Sequence, residues 1–460
     1  MNTLTVNFKL LFIVLILCLA LSFIKSTLSG KNLLKSYAKP SSKSNICKFL
    51  SNVISVDTKG DQYDLLMSFS TSPKEICNYI CFVTDGTNPN IQGNSLENYN
   101  FSNENYTMLR FPGLKNFVSY RYICWYASKN TTYKEYGDIQ FPKTTADNHS
   151  KIITFGDWSK TDKGIETYKL LMKNIVDTDA IVFVGDISYD LYKKNGEVGN
   201  DFLNFTQPFT SAIPFQMVTG NHETHNNFED LKKRFIMPNK EKGENLYYSY
   251  DVKNTHFVAV NSEIPYQKQF TPEYIVNFTK WLEDDLTKTT KRWKVIYLHR
   301  PLYCSMPDDY HCISSSQKMR DLYEEILHKT NVDLVIAGHV HAYERLFPIY
   351  NNIVDIASIQ ADENVYKNPK YPTHLVCGTG GNREDYAKYK PGKNSKIVIS
   401  VNGICQLDIT DNKIDFKFIG GTTGETLDQF QIIKDKSVEN GKNVLKGRKE
   451  FLKDVKNIME

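Results

Sequence analysis

The stretch that most constrains the fold is residues 332–345, which read VDLVIAGHVHAYER. Its first six residues form a nearly continuous apolar run before Gly338, and such a run predicts a short strand buried on both faces. His339 and His341 follow the carboxyl end of this strand, where open α/β sheets bind ligands. Two imidazoles at this spacing can hold a metal ion, although an isolated His-x-His pair is more often a polar turn. The rest of the chain decides between these interpretations.

Four further predicted strands end in polar residues that suit a metal. The residues after these strands are Gly156-Asp157, Gly185-Asp186-Ile187-Ser188-Tyr189, Gly220-Asn221-His222-Glu223 and His299. We expect each glycine to permit the sharp departure from the strand that a backbone close to an ion requires. One such turn carries little information, but five strand ends in register along one α/β region are difficult to explain as turns alone. The sequence therefore predicts a metal centre.

The region before this one has a different pattern. Residues 44–142 contain short alternating strands separated by turns, most clearly 63–70, 76–83, 106–111 and 120–127. Leu114 and Tyr120, six residues apart, are typical of the strand-entry corner of a β-sandwich. We predict an all-β sandwich of immunoglobulin or fibronectin type III kind, without chemistry of its own. A polar, turn-rich linker follows at 142–150.

Residues 150–435 alternate between strands and helices, which predicts an α/β domain. The predicted strands are 151–155, 180–184, 215–218, 294–298, 332–337, 373–377, 397–406 and 413–418. The predicted helices are 163–176, 272–286 with Thr271 as its cap, and 317–329. Residues 436–460 form a charged tail that we expect to be a solvated helix or a loose segment.

The N-terminus predicts entry into the secretory pathway. Residues 1–29 are typical of a signal peptide, because Lys9 precedes an apolar run at 10–24 that is too short to span a bilayer. A cleaved signal is favoured over an uncleaved anchor. Sequons for N-glycosylation begin at Asn100, Asn105, Asn130, Asn148, Asn204 and Asn277. Together they indicate a secreted or endolysosomal glycoprotein. The small net charge of +4 gives no case for nucleic acid, and we expect no stable membrane partner.

Eight cysteines remain after the signal, and no C-x-x-C pair occurs among them. They therefore predict disulfides rather than a zinc site. Cys77 and Cys81 share a strand face but lie ~13 Å apart, beyond disulfide reach. Their nearest alternative partners are Cys47 and Cys124. We also expect a bridge between Cys304 and Cys312, and one between Cys377 and Cys405.

The motifs in combination resemble those of the purple acid phosphatases of the metallophosphoesterase superfamily. Those that carry the resemblance are GDISY, GNHE followed by NNFEDLKKRFIMP, HRPLYCS, GHVHAYER, and GTGGNRE at 378–384. The resemblance covers most of the chain after the signal. It implies a fibronectin-like N-terminal domain followed by a catalytic domain with the αββα four-layer metallophosphoesterase fold, which agrees with the pattern described above.

The resemblance also implies a set of metal ligands. One metal would be held by Asp157, Asp186, Tyr189 and His341, and the other by Asp186, Asn221, His299 and His339, with Asp186 bridging. Phenolate and carboxylate are hard ligands that favour a trivalent ion, whereas amide oxygen and imidazole suit a divalent one. The implied cofactors are Fe(III) plus divalent iron, zinc or manganese. Ser159 stands where the wider superfamily has histidine and where this branch usually has glycine. Because position 159 is not histidine, the resemblance favours the branch of the superfamily that has a tyrosine ligand and binds Fe(III).

The activity implied is that of an acid phosphatase, which hydrolyses small phosphate monoesters by attack of a metal-activated hydroxide. Asn221 would contact the substrate, and His222 would be a catalytic residue that hydrogen-bonds the phosphate or donates a proton. His311 would bind phosphate or protonate the leaving group, although the loop that carries it is rebuilt around two cysteines. A phosphodiesterase or nucleotide pyrophosphatase on the same metal site is the alternative within the class. A non-catalytic glycoprotein binding module is the alternative outside it.

The remaining polar residues carry weaker predictions. His225 could line the site, whereas His256, His328 and His374 are predicted to be structural. Glu223 and Arg345 are expected to support or pack rather than to react. The sequence does not specify the oligomeric state, the substrate or the second metal.

Overall fold

The computed structural model describes residues 49–59, 62–72, 78–87, 90–116, 118–128, 131–141, 148–239 and 244–435. The predicted signal peptide and charged tail lie outside the described residues, as does most of the predicted linker. The described residues belong to one compact unit. None of the helices among them is both long enough and apolar enough to cross a bilayer.

The first part of the described chain consists of two antiparallel sheets of four strands each. In chain order the strands are β1 (Ser51–Lys59), β2 (Gln62–Thr71), β3 (Asn78–Thr84), β4 (Ile91–Gln92), β5 (Asn94–Phe101), β6 (Glu104–Lys115), β7 (Tyr120–Ser128) and β8 (Thr131–Ile139). Their orders in the sheets are β1-β2-β6-β5 and β4-β3-β7-β8. The prediction of N-terminal antiparallel sheets is confirmed.

The predicted corner of the sandwich forms at the entry to β7. The backbone N–H of Lys115 donates a hydrogen bond of 3.1 Å to the Tyr120 hydroxyl, and Leu114 is fully buried. Asn52 in β1 donates a hydrogen bond of 3.1 Å to the Tyr122 hydroxyl in β7, which links the two sheets. These bonds fix the turn that the Leu-to-Tyr spacing predicts.

The second part contains two mixed sheets of seven strands and a small hairpin. Its strands are β9 (Ser150–Phe155), β10 (Ala180–Phe183), β11 (Phe215–Met217), β12 (Tyr248–Val252), β13 (Thr255–Ala259), β14 (Trp293–Tyr297), β15 (Leu334–Ala337), β16 (Tyr343–Leu346), β17 (Ile349–Tyr350), β18 (Ile353–Val354), β19 (Val365–Lys367), β20 (Thr373–Cys377), β21 (Ser395–Ile399), β22 (Gly403–Ile409), β23 (Lys413–Gly420) and β24 (Thr426–Ile433). The sheet orders are β11-β10-β9-β22-β23-β24-β19 and β12-β13-β14-β15-β20-β16-β21, and β17 pairs with β18.

The helices also follow the predicted pattern. They are α1 (Asp162–Asn174), α2 (Glu197–Thr210), α3 (His225–Arg234), α4 (Pro272–Lys288), α5 (Ser314–Met319) and α6 (Glu325–Lys329), with short 3-10 turns at Asn221–Glu223, Ile264–Tyr266 and Ile356–Ser358. As predicted, the Thr271 side chain caps α4 by accepting the Tyr274 N–H. The predicted helix 317–329 is part of a longer run, because π-helical turns at Asp309–Ile313 and Arg320–Glu324 precede α5 and α6.

Parallel strands form the part of each mixed sheet that carries the predicted ligands. β9, β10 and β11 are parallel neighbours in one sheet, and β13, β14, β15 and β20 are parallel in the other. The carboxyl ends of the two sets meet, since the Gly156 N–H after β9 donates a 2.9 Å hydrogen bond to the Cys377 carbonyl of β20. The predicted metal ligands therefore emerge at a shared edge.

One predicted strand is wrong. Residues 397–406 form two strands, β21 and β22, which belong to different sheets. The chain crosses between the sheets at Asn402, whose side chain donates to the Lys163 carbonyl. The apolar pattern continues across this crossing because β22 is largely buried and the half-buried Ile397 and Ile399 of β21 pack against the same core, so the pattern alone hides the break. Several other elements, among them β12, β16, β24, α2 and α3, were not predicted.

The N-terminal sheets are joined to the α/β region by buried polar contacts. Thr210 of α2 donates to the Asn52 carbonyl and Gln216 of β11 to the Val56 carbonyl, both at 2.8 Å. Arg234 of α3 is fully buried and donates to the Tyr106 hydroxyl of β6 at 2.6 Å. These contacts satisfy polar groups of both regions inside the interface.

Two disulfides lie among the described residues, Cys81–Cys124 and Cys304–Cys312. The first joins β3 to β7, which agrees with the inference that Cys81 bonds elsewhere than to Cys77. The second is the bridge expected in the loop after β14. Disulfides of this kind are typical of extracytoplasmic proteins. Cys47 and Cys77 lie outside the described residues.

Candidate metal centre

The backbone turns sharply at the candidate ligands themselves rather than at the glycines before most of them. Asp157, Asp186 and His339 have φ angles of 57°, 56° and 68°. Gly185 has a positive φ, but Gly220 is needed for space, because a Cβ there would lie 2.1 Å from Oδ1 of Asp186. Left-handed backbone at non-glycine residues is costly and concentrates at functional sites. The expectation that every glycine would supply the turn was therefore only partly right.

Asp157, Tyr189 and His341 form the first group of candidate ligands. The Tyr189 hydroxyl lies 2.8 Å from Nε2 of His341 and 3.4 Å from Oδ1 of Asp157. Nε2 of His341 is 3.4 Å from the same carboxylate oxygen. All three side chains are buried, so their donor atoms face one another rather than solvent.

Asp186, Asn221, His299 and His339 form the second group. Nε2 of His299 lies 3.3 Å from Oδ2 of Asp186, 3.1 Å from Oδ1 of Asn221 and 3.2 Å from Nδ1 of His339. One ligand atom from each of Asp186, His299 and His339 falls within 4.8 Å of the others. The Asp157 carboxylate joins the two groups by accepting the His339 N–H at 3.0 Å.

The donor atoms are oriented as a metal requires. His299 donates from Nδ1 to the Val184 carbonyl at 2.8 Å, so Nε2 is the nitrogen that faces Asp186 and would bind a cation in place of its proton. A metal-binding histidine usually has its second nitrogen fixed in this way. The side chains therefore fit a pair of cations, with carboxylates, a phenol, an amide and imidazoles as the donor set.

Electrostatics sets the protonation of the two groups. Burial opposes charge on His299, but the Asp186 carboxylate raises the pKa of this imidazole to about 10. Burial and the positive charge of Arg300 hold the pKa of His339 well below its usual range, so this ring is neutral, as a metal ligand must be. Burial and the Asp157 carboxylate raise the pKa of Tyr189. A phenolate at this position therefore needs a cation beside it.

Glu223 holds the two ligand loops together. Its carboxylate accepts hydrogen bonds from the backbone N–H groups of Asp186, Ile187 and Gly220, at 2.8, 2.9 and 2.7 Å. The sequence suggested a supporting role for Glu223 but gave no partner. The contacts show that it fixes the loop of Asp186 against the loop of Asn221.

His222 lies at one side of the centre. Its Nδ1 is 2.9 Å from Oδ1 of Asp190, and its Nε2 is 3.9 Å from Oδ2 of Asp186. Asp190 therefore orients the ring so that Nε2 faces the centre. Sequence reasoning did not single out Asp190, although its position directly after Tyr189 is a signal that could have found it.

His311 lies in the π-helical turn Asp309–Ile313, within the loop that the Cys304–Cys312 bridge closes. Its ring centroid is 5.2 Å from that of His339. The structure thus brings His311 beside the second group of ligands. His225 is exposed and stacks on Tyr192, with ring centroids 3.8 Å apart.

The other polar residues named from the sequence lie away from the donor atoms. His256 bonds to Asp251 and Asp285, and His328 stacks on Tyr350. His374 is buried against Tyr303. Arg345 forms a buried ion pair with Asp428 at 2.8 Å. These are packing and ion-pair roles.

Comparisons with known proteins agree with this geometry. Residues 137–343 match the family model "Calcineurin-like phosphoesterase". The chain is 33% identical to mouse (Mus musculus) acid phosphatase type 7 over 56% of this chain and 61% of the relative. It is also 33% identical to purple acid phosphatase 21 of Arabidopsis thaliana over 56% of each chain. It thus spans roughly half to three-fifths of the length of these relatives.

A solved structure shares the fold. The purple acid phosphatase isolated from yellow lupin (Lupinus luteus) seeds superposes with a TM-score of 0.70 at 19% identity, over 84% of this chain and 74% of that one. Antiparallel N-terminal sheets followed by mixed α/β sheets are therefore the architecture of both chains, as the sequence predicted. Residues 137–343 are thus similar to metallophosphoesterases, and the chain is similar to the purple acid phosphatases among them.

Proposed function

We propose that this protein is a dinuclear metal-dependent acid phosphatase that hydrolyses small phosphate monoesters. The observation that carries the proposal is the separation of seven side chains into two groups of different chemistry. Asp157, Tyr189 and His341 supply hard anionic donors with one imidazole, whereas Asn221, His299 and His339 supply neutral donors. Asp186 lies with the second group as the candidate bridge. Fe(III) suits the first group, and divalent iron, zinc or manganese suits the second.

When bound, such a metal pair supplies Lewis acidity to a phosphoryl oxygen and lowers the pKa of water. The side chains of the protein would then orient the ester and supply a proton to the leaving group. Asn221 and His222 lie where they can bind phosphoryl oxygens, with the His222 ring fixed by Asp190. His311, whose ring lies beside that of His339, would protonate the departing oxygen.

The proposed location is the lumen of the secretory pathway or the cell exterior. The apolar N-terminal run and the two disulfides support this location. Of the six sequon asparagines, Asn100, Asn148, Asn204 and Asn277 are exposed and Asn105 is half-buried. Asn130 lies outside the described side chains. We propose N-glycosylation at the exposed positions, and no nucleic-acid or stable membrane partner.

The proposal is tested by elemental analysis of the purified protein together with its turnover of 4-nitrophenyl phosphate. About two metal ions per chain and acid phosphatase activity are expected. His339→Ala should lower both the metal content and the turnover, the latter by several orders of magnitude. His328→Ala is the matched control, since that ring stacks on Tyr350 and should leave both values unchanged. Full activity in His339→Ala would contradict the proposal.

A further inference from the structure

A column of alternating cationic and aromatic side chains stands beside the candidate metal centre. The Arg300 guanidinium lies 4.5 Å from the ring centroid of Tyr266 and 5.2 Å from that of Tyr310. The Lys318 ammonium lies 4.8 Å from the centroid of the same Tyr266 ring. Cation–π contacts of this kind hold the partners together without a covalent link. Tyr310 is the end of the column.

Hydrogen bonds of the buried Arg300 side chain hold the column in place. Arg300 is only 2% exposed, and its Nε donates to both oxygens of Glu263 at 2.9 and 3.0 Å. Its Nη1 lies 3.0 Å from Nε2 of the candidate ligand His339, and its Nη2 donates to the Tyr310 hydroxyl at 3.4 Å. The guanidinium thus positions the Tyr310 ring relative to the metal centre before any ligand arrives.

The outer end of the column is open to solvent. Tyr310 is 58% exposed, yet its ring centroid is only 6.0 Å from the His339 ring and 4.9 Å from that of His311. Ile313, one turn further along the same π-helical segment, is also 58% exposed. An exposed aromatic ring therefore lies beside the candidate ligand and the candidate acid, close enough for the group attached to a bound phosphoryl to reach it.

We propose that Tyr310 forms the stacking face of a subsite for aromatic leaving groups. This inference rests on the proposed function, because the phosphoryl group must be held by the metal centre for its substituent to reach Tyr310. An aromatic ring placed there extends the column of Lys318, Tyr266, Arg300 and Tyr310. Since the Arg300 contacts already hold the Tyr310 ring, stacking requires little further ordering of the protein.

Binding of two matched phosphonates tests the subsite without any turnover. Benzylphosphonate and (cyclohexylmethyl)phosphonate place a six-membered carbon ring at the same distance from phosphorus, but only the first is aromatic. Calorimetry on the metal-loaded protein should show benzylphosphonate binding roughly threefold to tenfold more tightly, which is the usual range for an aromatic pair. Tyr310→Leu should bring the ratio of the two Kd values to about one. Tyr310→Phe keeps the ring and should keep the preference.

Tyr136→Leu is the matched control. Tyr136 is 56% exposed and has an arginine, Arg121, 5.7 Å from its ring, but it lies on β8 of the N-terminal sheets. This variant should retain the wild-type ratio. An unchanged ratio of the two Kd values in Tyr310→Leu would overturn the subsite. If both ligands were weakened equally, the column would only support His339, which would overturn the subsite as well. No binding of either phosphonate would also overturn it.

Hydrolysis separates this inference from the proposed function. If the benzyl preference depends on Tyr310 but the loaded protein does not cleave benzyl phosphate, the subsite stands and the phosphatase proposal fails. If benzyl phosphate is cleaved but the phosphonate preference is absent, the phosphatase proposal stands and the subsite fails.

Discussion

One carboxylate oxygen of Asp308 accepts hydrogen bonds from both the backbone N–H and the ring Nδ1 of His311, each at 2.7 Å. Because Nδ1 is occupied by this bond, Nε2 is the ring nitrogen that remains available to a ligand. The same ring lies 5.2 Å from that of His339. Asp308 thus orients His311 beside the metal centre, and the Cys304–Cys312 bridge closes the loop that carries both residues.

If His311 is the general acid, the loss of kcat on its removal should depend on the leaving group. An alkyl phosphate departs as a strongly basic alkoxide and needs a proton, whereas a nitrophenyl phosphate departs as a weakly basic phenolate. Such acids contribute typically about 10²–10⁴-fold. His311→Ala should therefore lower kcat for alkyl phosphates far more than for 4-nitrophenyl phosphate, provided that chemistry limits both. Metal content should not change.

The matched control for this experiment is His225→Ala, because that exposed ring stacks on Tyr192 and should affect both substrates little. Equal losses on both substrates in His311→Ala would indicate phosphate binding instead of proton donation. Loss of metal would place His311 among the ligands. No loss at all would transfer the acid role to His222 or His225.

Tyr189→Phe should remove the visible charge-transfer band of an Fe(III)–phenolate pair while the fold is retained. The Tyr189 hydroxyl is buried within 2.8 Å of His341 and 3.4 Å of Asp157, so the substitution removes one donor from the first group only. Absorption spectra at equal iron content provide the measurement. Tyr343→Phe is the control, since that hydroxyl bonds to Asp428. A colourless wild-type protein with a full complement of iron would refute the ligation.

Glu223→Gln should weaken metal binding about 10–100-fold, the usual effect of losing a group that orients ligands. The two carboxylate oxygens accept three backbone N–H groups, whereas glutamine has one acceptor oxygen and places its NH2 group against a backbone donor, so at least one of these bonds is lost. Competition with a chelator would measure zinc affinity directly. Glu229→Gln, on the exposed side of α3, is the control and should bind as wild type does. Unchanged zinc affinity in Glu223→Gln would mean that the loops of Asp186 and Asn221 keep their conformation without the Glu223 carboxylate.

The positions of the candidate ligands could be predicted because each follows a buried strand. Periodicity locates such strands, and parallel strands of one sheet bring their carboxyl ends to one edge, which brings Asp157 and Asp186 together. His339 follows a strand of the other sheet, so its place beside them depends on the meeting of the two sheets, which periodicity does not predict. What the pattern could not supply was the backbone conformation. The left-handed φ angles fall on these residues and not on most of the glycines before them, because surrounding contacts such as those of Glu223 impose them.

Residues that orient others were the hardest to predict. Asp190 follows the motif GDISY and Arg300 lies in HRPLYCS, but a motif does not name the partner of a residue. The roles of Asp190, Arg300 and Asp308 depend on partners distant in sequence or on an irregular loop. The prediction of a single strand at residues 397–406 was wrong for a related reason, since these residues are divided between two sheets. Both strands face one shared interior, so the apolar pattern does not register the crossing.

Cys377 and Cys405 are expected to form a disulfide between the two mixed sheets. The structure describes them as buried thiols on β20 and β22 with their sulfur atoms 2.6 Å apart, so oxidation needs little movement. Peptide mapping of unreduced, denatured protein should recover the two cysteines in one linked peptide. Cys304–Cys312 serves as the internal positive control. Alkylation of both thiols without prior reduction would contradict the expectation.

His256 should make stability fall at high pH. It lies on β13, with Nδ1 2.7 Å from Asp251 and Nε2 2.9 Å from Asp285 of α4. Burial disfavours the charged ring, but the bonds to the two carboxylates overcome this and raise the pKa of His256 to about 9. Its pKa in the unfolded chain is about 6.5. The stabilisation is therefore fully present below about pH 6.5 and is lost as the pH rises through about 9.

The magnitude follows from the difference between the two pKa values and amounts to roughly 3 kcal/mol in the free energy of unfolding. Denaturant unfolding of the wild type and of His256→Phe, which keeps a ring but no charge, should differ by about this much more at pH 6 than at pH 10. His149→Asn is the control, because that ring is about half exposed and 3.4 Å from Asp408, where surface pairs contribute little. If the wild type and His256→Phe differed equally at both pH values, the ring would act by packing alone.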